Sequence, residues 1–432
     1  VSAGIASLEP AGGPLCGEAT VPGDKSIAHR ALLFNAIGDG EALVSGLPEG
    51  LDVASTIAAL KRLGVGIERP STRSCRIRGC GLHLKPPTGP IDCGNSGTTM
   101  RLLTGILAGQ SFDAVLDGDA SLRRRPMGRV AVPLKTMGAR IDTGAGGCAP
   151  LGIRGGTLRG CAHELPVASA QVKSALLLAG LQADGRTCVR EPTQSRDHTE
   201  RLLAEMSVAV ERDQGSVCVR GRSVPECCDV SVPGDPSSAA FFVVAAALVP
   251  DSEVRIRGVC LNPTRIGFVR LLERMGADIQ LLETHTCGAE AVGDIQVRYA
   301  PLSGIGIVAG DVPGAIDELP ALAVAAARAE GVTTVRGAAE LRVKESDRIR
   351  AIVSMLAAFG IEVDEYEDGF RIKGCADLAG GARVGTGGDH RIAMAAAVAA
   401  LVADGPTSIA DAAAVAVSFP GFFDTLDRLR CR

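Results

Sequence analysis

The sequence predicts an α/β protein of two similar domains, each assembled from three related helix–strand units, on three observations. A helix-then-strand signature recurs six times along 432 residues. The run Val21-Pro22-Gly23-Asp24 returns as Val232-Pro233-Gly234-Asp235, with three signatures between the two copies and three after the second. The length also exceeds what one hydrophobic core usually organises.

The complete signatures are LKRLGVGIE from Leu60, LKTMGARID from Leu134, LAEMSVAVE from Leu203, LERMGADIQ from Leu272 and LAAFGIEVD from Leu356; a truncated LDRLR begins at Leu426. Each reads as an amphipathic helix stopped where a left-handed cap is needed, followed by a strand of alternating residues. Glycine occupies the cap in four complete copies and Ser207 in the fifth. A spacing of roughly 70 residues is too long for a solenoid repeat and suits a small αβ folding unit.

Pro-Gly-Asp is turn chemistry followed by a helix N-cap, so both copies mark places where the chain enters a domain. The expected domains are residues 25–234, and residues 1–24 together with 235–432, joined by crossover segments near 21–24 and 232–235. Chance recurrence is the plain alternative; the agreement of both periodicities on one boundary opposes it.

Hydrophobic residues make up 46% of the chain, enough for sizeable cores. With 45 basic and 49 acidic residues, the net charge of −4 supplies no global field for nucleic acid or an anionic membrane. Any anion must be bound by a local cluster. The apolar runs 239–249 and 392–403 fall short of a bilayer span and read as buried helices. The N-terminal stretch VSAGIASLEPAGG lacks the pattern of a signal peptide, which makes a cytoplasmic location the expectation. The 14 cysteines form no CxxC pair and read mostly as small buried apolar residues. The 6 histidines are dispersed, so no metal is expected.

Basic and small polar residues gather at predicted helix starts. Asp24-Lys25-Ser26 with Arg30 opens the first helix, where free N–H groups and the dipole favour an anion, although simple capping explains the same residues. Asp92–Arg101 places small flexible residues where backbone could approach a ligand. Arg123, Arg124 and Arg125 form a row that reads equally as a solvated face or as an anion site. Ser169-Ala170-Gln171 and Ser195-Arg196-Asp197-His198 offer neutral hydrogen bonds suited to a polyol, or N-caps. Asp317-Glu318 precedes an apolar helix that carboxylates would also stabilise. Glu340–Arg348 is denser in charge than capping needs, with Lys344 and Arg348 four apart on one expected helical face. Gly388-Asp389-His390-Arg391 stands before an Ala-rich helix.

Taken in order, VPGDKSIAHRALL, DCGNSGTTMRLL, GDASLRRRPM, VASAQVKSALLLAGL, SRDHTERLL, VPGDPSSAAFF, DELPALAVAAA, ELRVKESDRI and GDHRIAMAAA resemble the EPSP synthases (3-phosphoshikimate 1-carboxyvinyltransferases) of the enolpyruvyl transferase family, from about Leu15 to the C-terminus. The resemblance implies two domains, each of three βαβαββ-type units in an inside-out α/β barrel, closing on substrate. It implies transfer of the enolpyruvyl group of phosphoenolpyruvate to the 5-hydroxyl of shikimate 3-phosphate, with release of phosphate through a tetrahedral intermediate. It implies no cofactor, and a monomer whose partners are these two small molecules.

Carried over motif by motif, Lys25, Ser26, Arg30, Ser169, Gln171, Ser195, Asp317 and Lys344 would hold shikimate 3-phosphate, with Ser169 and Ser195 placed to meet its phosphate. Lys25, Gly97, Arg125, Gln171, Arg348 and Arg391 would hold phosphoenolpyruvate, an array suited to bidentate guanidinium recognition. Asp317 would be the base for the 5-hydroxyl, with Glu345 and Lys25 as candidates for the other proton transfers. The expected site thus draws on both halves of the chain.

Three positions depart from the pattern. Val417 in VSFPGFF stands where many relatives carry a lysine, Leu102 where some carry proline, and Ala170 where some carry serine. The motifs RDHTE, SAQVK and NPTR resemble a subgroup that often tolerates glyphosate, whereas Gly97 points to sensitivity, so inhibitor response stays open. The nearest alternative is the sister transferase acting on UDP-N-acetylglucosamine. GDASLRRRP lacks the cysteine usual in that sister's loop, and DKSIAHR and KESDR favour the EPSP synthases.

Overall fold

In each complete signature the second residue past the helix adopts positive φ. A computed structural model of the chain describes residues 4–375 and 377–431. Helices Leu51–Arg62, Gly128–Thr136, His198–Glu205, Gly267–Arg274 and Arg348–Ala358 are followed by Gly64, Gly138, Ser207, Gly276 and Gly360, with φ of 81°, 97°, 63°, 100° and 77°. That left-handed residue stops the helix and sends the chain into strands Gly66–Ser71, Arg140–Thr143, Val210–Asp213, Asp278–Cys287 and Val363–Tyr366. Ser207 takes this conformation with a Cβ present, and its hydroxyl donates to Glu226 Oε2 at 2.8 Å.

The chain divides into two compact units. The first spans Gly23–Val232 with Cys287–Glu290; the second holds the chain up to Pro22, Pro233–Thr286 and the chain from Ala291 onward. In the first unit, strands Ile91–Asp92, Asp113–Asp117, Leu151–Arg154 and Arg140–Thr143 form a sheet whose first pair is parallel and whose other pairs are antiparallel. Strands Ala162–Glu164, Arg186–Arg190, Ser216–Arg220 and Val210–Asp213 repeat that pattern. In the remaining sheet Val230–Ser231 returns from far along the chain to pair in parallel with Glu41–Ser45.

A parallel pair needs a crossover, and here it is a buried helix. Gly97–Ala108 and Ala170–Gln182 serve two sheets, and Lys25–Ile37 precedes Glu41–Ser45 in the third. These helices are buried nearly all round; Lys25–Ile37 buries every residue from Ile27 to Ile37, the polar His29, Arg30 and Asn35 included. Helices of that character belong inside a fold, with the sheets around them, which is the inside-out α/β barrel of βαβαββ units.

The second unit repeats the plan around helices Pro236–Leu248, Leu319–Arg328 and His390–Leu401, which carry the two long apolar runs of the sequence. Cys16–Thr20 pairs in parallel with Glu253–Arg257, and Ile5–Leu8 lies antiparallel to Thr407–Ala410. Among the described residues no helix is long and apolar enough to cross a membrane.

The cysteines correct the expectation of mostly buried thiols. Of the free cysteines, Cys75, Cys93 and Cys260 are buried, Cys375 is exposed and the others are half-buried. Cys16 and Cys431 lie side by side, as do Cys188 and Cys218, with Cα–Cα separations of 6.0 and 4.1 Å. Cys188 and Cys218 lie directly opposite on antiparallel strands, and a bridge between Leu15 and Arg430 brings Cys16 to Cys431. Both approaches depend on tertiary pairing that sequence spacing does not reveal.

Candidate active site

Each unit carries its own group of predicted residues. In the first unit, Asp24 caps the helix Lys25–Ile37 by accepting from Ile27 N at 2.9 Å. Lys25 follows it, and its Nζ lies 2.8 Å from Asp52 Oδ2. Ser26 Oγ accepts from Arg196 Nη1 at 3.3 Å. Arg30 is 2% exposed and spreads its guanidinium over Thr199 Oγ1 (2.8 Å), Ser174 Oγ (2.8 Å) and the Ser26 carbonyl (2.9 Å). It braces the turn that presents Lys25 and Ser26.

Ser96 caps the helix Gly97–Ala108. A Cβ at Gly97 would lie 3.1 Å from Arg101 Nη1 and 3.3 Å from Arg125 Nη1, so two guanidinium groups converge on this helix start. Arg125 is buried and donates to Asn95 Oδ1. The row of three arginines is therefore split: Arg123 is exposed and pairs with Asp117, Arg124 is exposed, and Arg125 turns inward. The 3-10 turn Leu122–Arg124 produces that division. Gln171 is oriented by both ends of its amide, Nε2 donating to Thr98 Oγ1 at 2.8 Å and Oε1 accepting from Arg101. Ser169 caps the helix Ala170–Gln182, and Ser195 is buried with no hydrogen-bond partner for its hydroxyl among the described residues.

In the second unit Asp317, Lys344, Glu345, Arg348 and Arg391 form one connected network. Asp317 Oδ1 lies 3.3 Å from both Lys344 Nζ and Arg348 Nη1. Arg348, 1% exposed, also pairs with Glu345 Oε2 at 2.6 Å and Asp389 Oδ2 at 2.8 Å. Arg391 Nη1 donates to the Asp317 carbonyl at 2.9 Å. Burial alone would lower the Arg348 pKa; the carboxylates of Asp389, Glu345 and Asp317 outweigh it and hold Arg348 above its usual value. Burial would likewise raise Asp389, but the Arg348 charge and hydrogen bond hold it below the usual carboxylate value.

One expectation fails here. Lys344 and Arg348 do not share a helical face: Lys344 ends the 3-10 turn Ala339–Val343 in extended conformation, and the α-helix begins only at Arg348 after its Asp347 cap. Asp347 competes for the backbone N–H of Arg350 and so delays the helix start. The two cations meet at Asp317 through tertiary packing instead.

The helix starts are also less open to anions than the sequence suggested. Asp24, Ser96, Ser169, Asp347 and Asp389 each accept from an N–H of the helix they cap.

Four partners escaped the sequence reading: Asp52 on Lys25, Asn95 on Arg125, Arg101 on Gln171, and Asp389 on Arg348. Asn95, Arg101 and Asp389 lie inside motifs already singled out, so a signal existed; Asp52 carries none beyond its place in a helix first turn. Of the departures, Leu102 is fully buried and Val417 is half-buried at the end of the 3-10 turn Ala412–Val417, offering no charge. Ala170 is the first residue of its helix.

Residues 10–426 match the family model described as EPSP synthase (3-phosphoshikimate 1-carboxyvinyltransferase). The chain belongs to the EPSP synthase family. Among EPSP synthase relatives, the 3-phosphoshikimate 1-carboxyvinyltransferase of Halorhodospira halophila is 54% identical over 420 residues, covering 97% of this chain and 94% of that protein. Its counterpart in Alkalilimnicola ehrlichii is 52% identical over 415 residues, covering 96% and 93%. The solved EPSP synthase of Acinetobacter baumannii superposes with a TM-score of 0.88 at 44% identity, covering 99% of this chain and 98% of that one. The enolpyruvyl transferase NikO of Streptomyces tendae shares the fold, with a TM-score of 0.79 at 17% identity and coverage of 98% and 97%. EPSP synthase relatives of this similarity over nearly the whole chain do not favour the UDP-N-acetylglucosamine reading.

Proposed function

We propose that this chain transfers the enolpyruvyl group of phosphoenolpyruvate to the 5-hydroxyl of shikimate 3-phosphate, in the cytoplasm and as a monomer, on the shikimate route to chorismate. The observation that carries the reading is the network joining Asp317, Lys344, Glu345, Arg348 and Arg391. It gathers a carboxylate able to act as base, a second able to act as acid, and cations suited to an anionic donor.

In this reading the 5-hydroxyl oxygen forms a bond to C2 of phosphoenolpyruvate while Asp317 accepts its proton. C3 gains a proton from Glu345 or Lys25, giving a tetrahedral adduct. The bond from C2 to the phosphate oxygen then breaks, C3 returns a proton, and phosphate leaves against the basic groups. Lys25, Ser26, Arg30, Ser169, Gln171, Ser195, Asp317 and Lys344 hold the acceptor, while Lys25, Gly97, Arg125, Gln171, Arg348 and Arg391 hold the donor. The two arginines converging on Gly97 match the carboxylate and phosphate of phosphoenolpyruvate.

The test is to mix purified chain with shikimate 3-phosphate and phosphoenolpyruvate and follow phosphate release and the enol ether product. Release that requires both substrates supports the reading; no phosphate above background sinks it.

A further inference from the structure

Three buried charges join the two predicted phosphate-contacting serines, and the proposed mechanism uses none of them. Lys173 is 1% exposed, with its Nζ 2.8 Å from Glu191 Oε2 and 2.8 Å from Glu200 Oε1. Glu191 follows directly on strand Arg186–Arg190, Lys173 lies one turn into the helix that Ser169 caps, and Glu200 sits in the helix that begins just after Ser195. Glu191 accepts two backbone bonds: Ser169 N donates to Oε1 at 2.9 Å and Ser195 N to Oε2 at 3.3 Å. One carboxylate thus holds both serines.

Capping does not account for this arrangement. Ser169 already caps its helix through Val172 N at 3.4 Å, and Glu191 bonds the cap residue's own amide rather than an interior N–H. Burying two carboxylates around one ammonium carries a desolvation cost that its attraction often fails to offset, so stability is a weak reason for the cluster. The Ser195 hydroxyl, in a residue 6% exposed, has no hydrogen-bond partner among the described residues although its amide is tied down. A buried hydroxyl left open beside an anchored amide points to a ligand oxygen as its partner.

We infer that Glu191 is a positioning residue: it sets the separation of the Ser169 and Ser195 hydroxyls for the phosphate of shikimate 3-phosphate, while Lys173 and Glu200 hold its carboxylate in place. Lys173 also offsets part of the charge of Glu191 and Glu200, which lessens the repulsion between the anchor and the phosphate it serves. With both serine amides used by Glu191, recognition at these residues falls to the hydroxyls. The inference rests on the reaction proposed above.

Steady-state kinetics of the full chain test it, with each substrate varied in turn. Glu191→Gln puts an N–H group where an accepting oxygen stood, and is expected to raise KM for shikimate 3-phosphate about tenfold. Both kcat and KM for phosphoenolpyruvate should stay within about twofold, because the donor-side groups Gly97, Arg101 and Arg125 make no bond to Glu191. Adding Ser195→Ala to Glu191→Gln should cost less than the two changes multiplied, since both act on one contact. Glu191→Asp keeps the charge against Lys173 and so protects folding, yet withdraws the carboxylate from the amides. It should raise the same KM by a smaller factor.

The inference is overturned if a folded Glu191→Gln or Glu191→Asp protein keeps the wild-type KM for shikimate 3-phosphate. It is equally overturned if both KM values and kcat deteriorate together, as general loosening would produce. Absence of turnover in the unaltered chain would instead remove the proposed reaction, and this inference with it.

Discussion

Arg348 Nε lies 2.8 Å from Asp389 Oδ2, with the two side chains 1% and 0% exposed. Asp389 does more than neutralise a charge. It caps its own helix by accepting from Arg391 N at 3.0 Å and takes a bond from Ser346 Oγ at 2.8 Å. It therefore fixes Arg348 and the backbone of Arg391 together.

Removing Asp389 should cost stability as well as activity. Asp389→Ala leaves Arg348 buried against fewer partners and should lower unfolding free energy by about 3–5 kcal/mol. Because folding depresses the Asp389 pKa, its contribution is complete above the unfolded value and fades as pH falls through the folded one. Denaturant unfolding of both proteins at neutral and acidic pH gives the check, and the gap between them should narrow in acid.

His29 shapes acid stability in the same direction for the opposite reason. It is fully buried, Nδ1 lies 2.7 Å from Thr56 Oγ1, and burial lowers its pKa to about 3, with the Lys25 and Arg30 charges adding to the effect and Asp52 opposing it. Between pH 6.5 and 3 the unfolded chain binds a proton that the native chain refuses, so stability falls as pH falls through that window. The full loss is on the order of 5 kcal/mol. His29→Asn should flatten the stability curve between these limits; an unchanged slope in urea titrations would rule His29 out as its source.

Asp317→Ala should lower turnover by on the order of a hundredfold, as loss of a general base does. Circular dichroism should remain native, because Arg348 keeps Glu345 and Asp389 as partners. Wild-type turnover in this variant would take Asp317 out of the mechanism.

Gly97→Ala places a methyl group 3.1 Å from Arg101 Nη1 and 3.3 Å from Arg125 Nη1. Both neighbours are tips of flexible side chains, so the helix should survive while the guanidinium groups shift by a few tenths of an ångström. KM for phosphoenolpyruvate should rise about tenfold, inside the hundredfold that a misplacement of roughly 1 Å costs. The melting temperature should barely move. A large drop in melting temperature with unchanged KM would contradict this account.

Much of the architecture was legible because it is written locally. A helix ends within one turn of its cap, so the glycines at 64, 138, 276 and 360, and Ser207, announce both the stop and the strand that follows. The stretch around Glu345 was likewise visible as charge denser than capping needs and Arg391 as a cation at a helix start, whereas Asp317 read equally well as stabilising the helix it precedes. Glu191 was not legible: an acidic residue after a strand in a Pro- and Ser-containing loop reads as solvent-exposed, and only packing turns its carboxylate toward Lys173.

By itself, then, the sequence determined the six-unit plan and the chemical types available, since propensity, capping and alternation act over a few neighbouring residues. The tertiary structure alone decided which of Arg123, Arg124 and Arg125 turns inward and that Lys344 and Arg348 converge on Asp317 without sharing a helix. It also decided that one carboxylate holds Ser169 and Ser195. Those partnerships depend on which groups are removed from water together, and burial is settled by contacts between segments far apart in the chain.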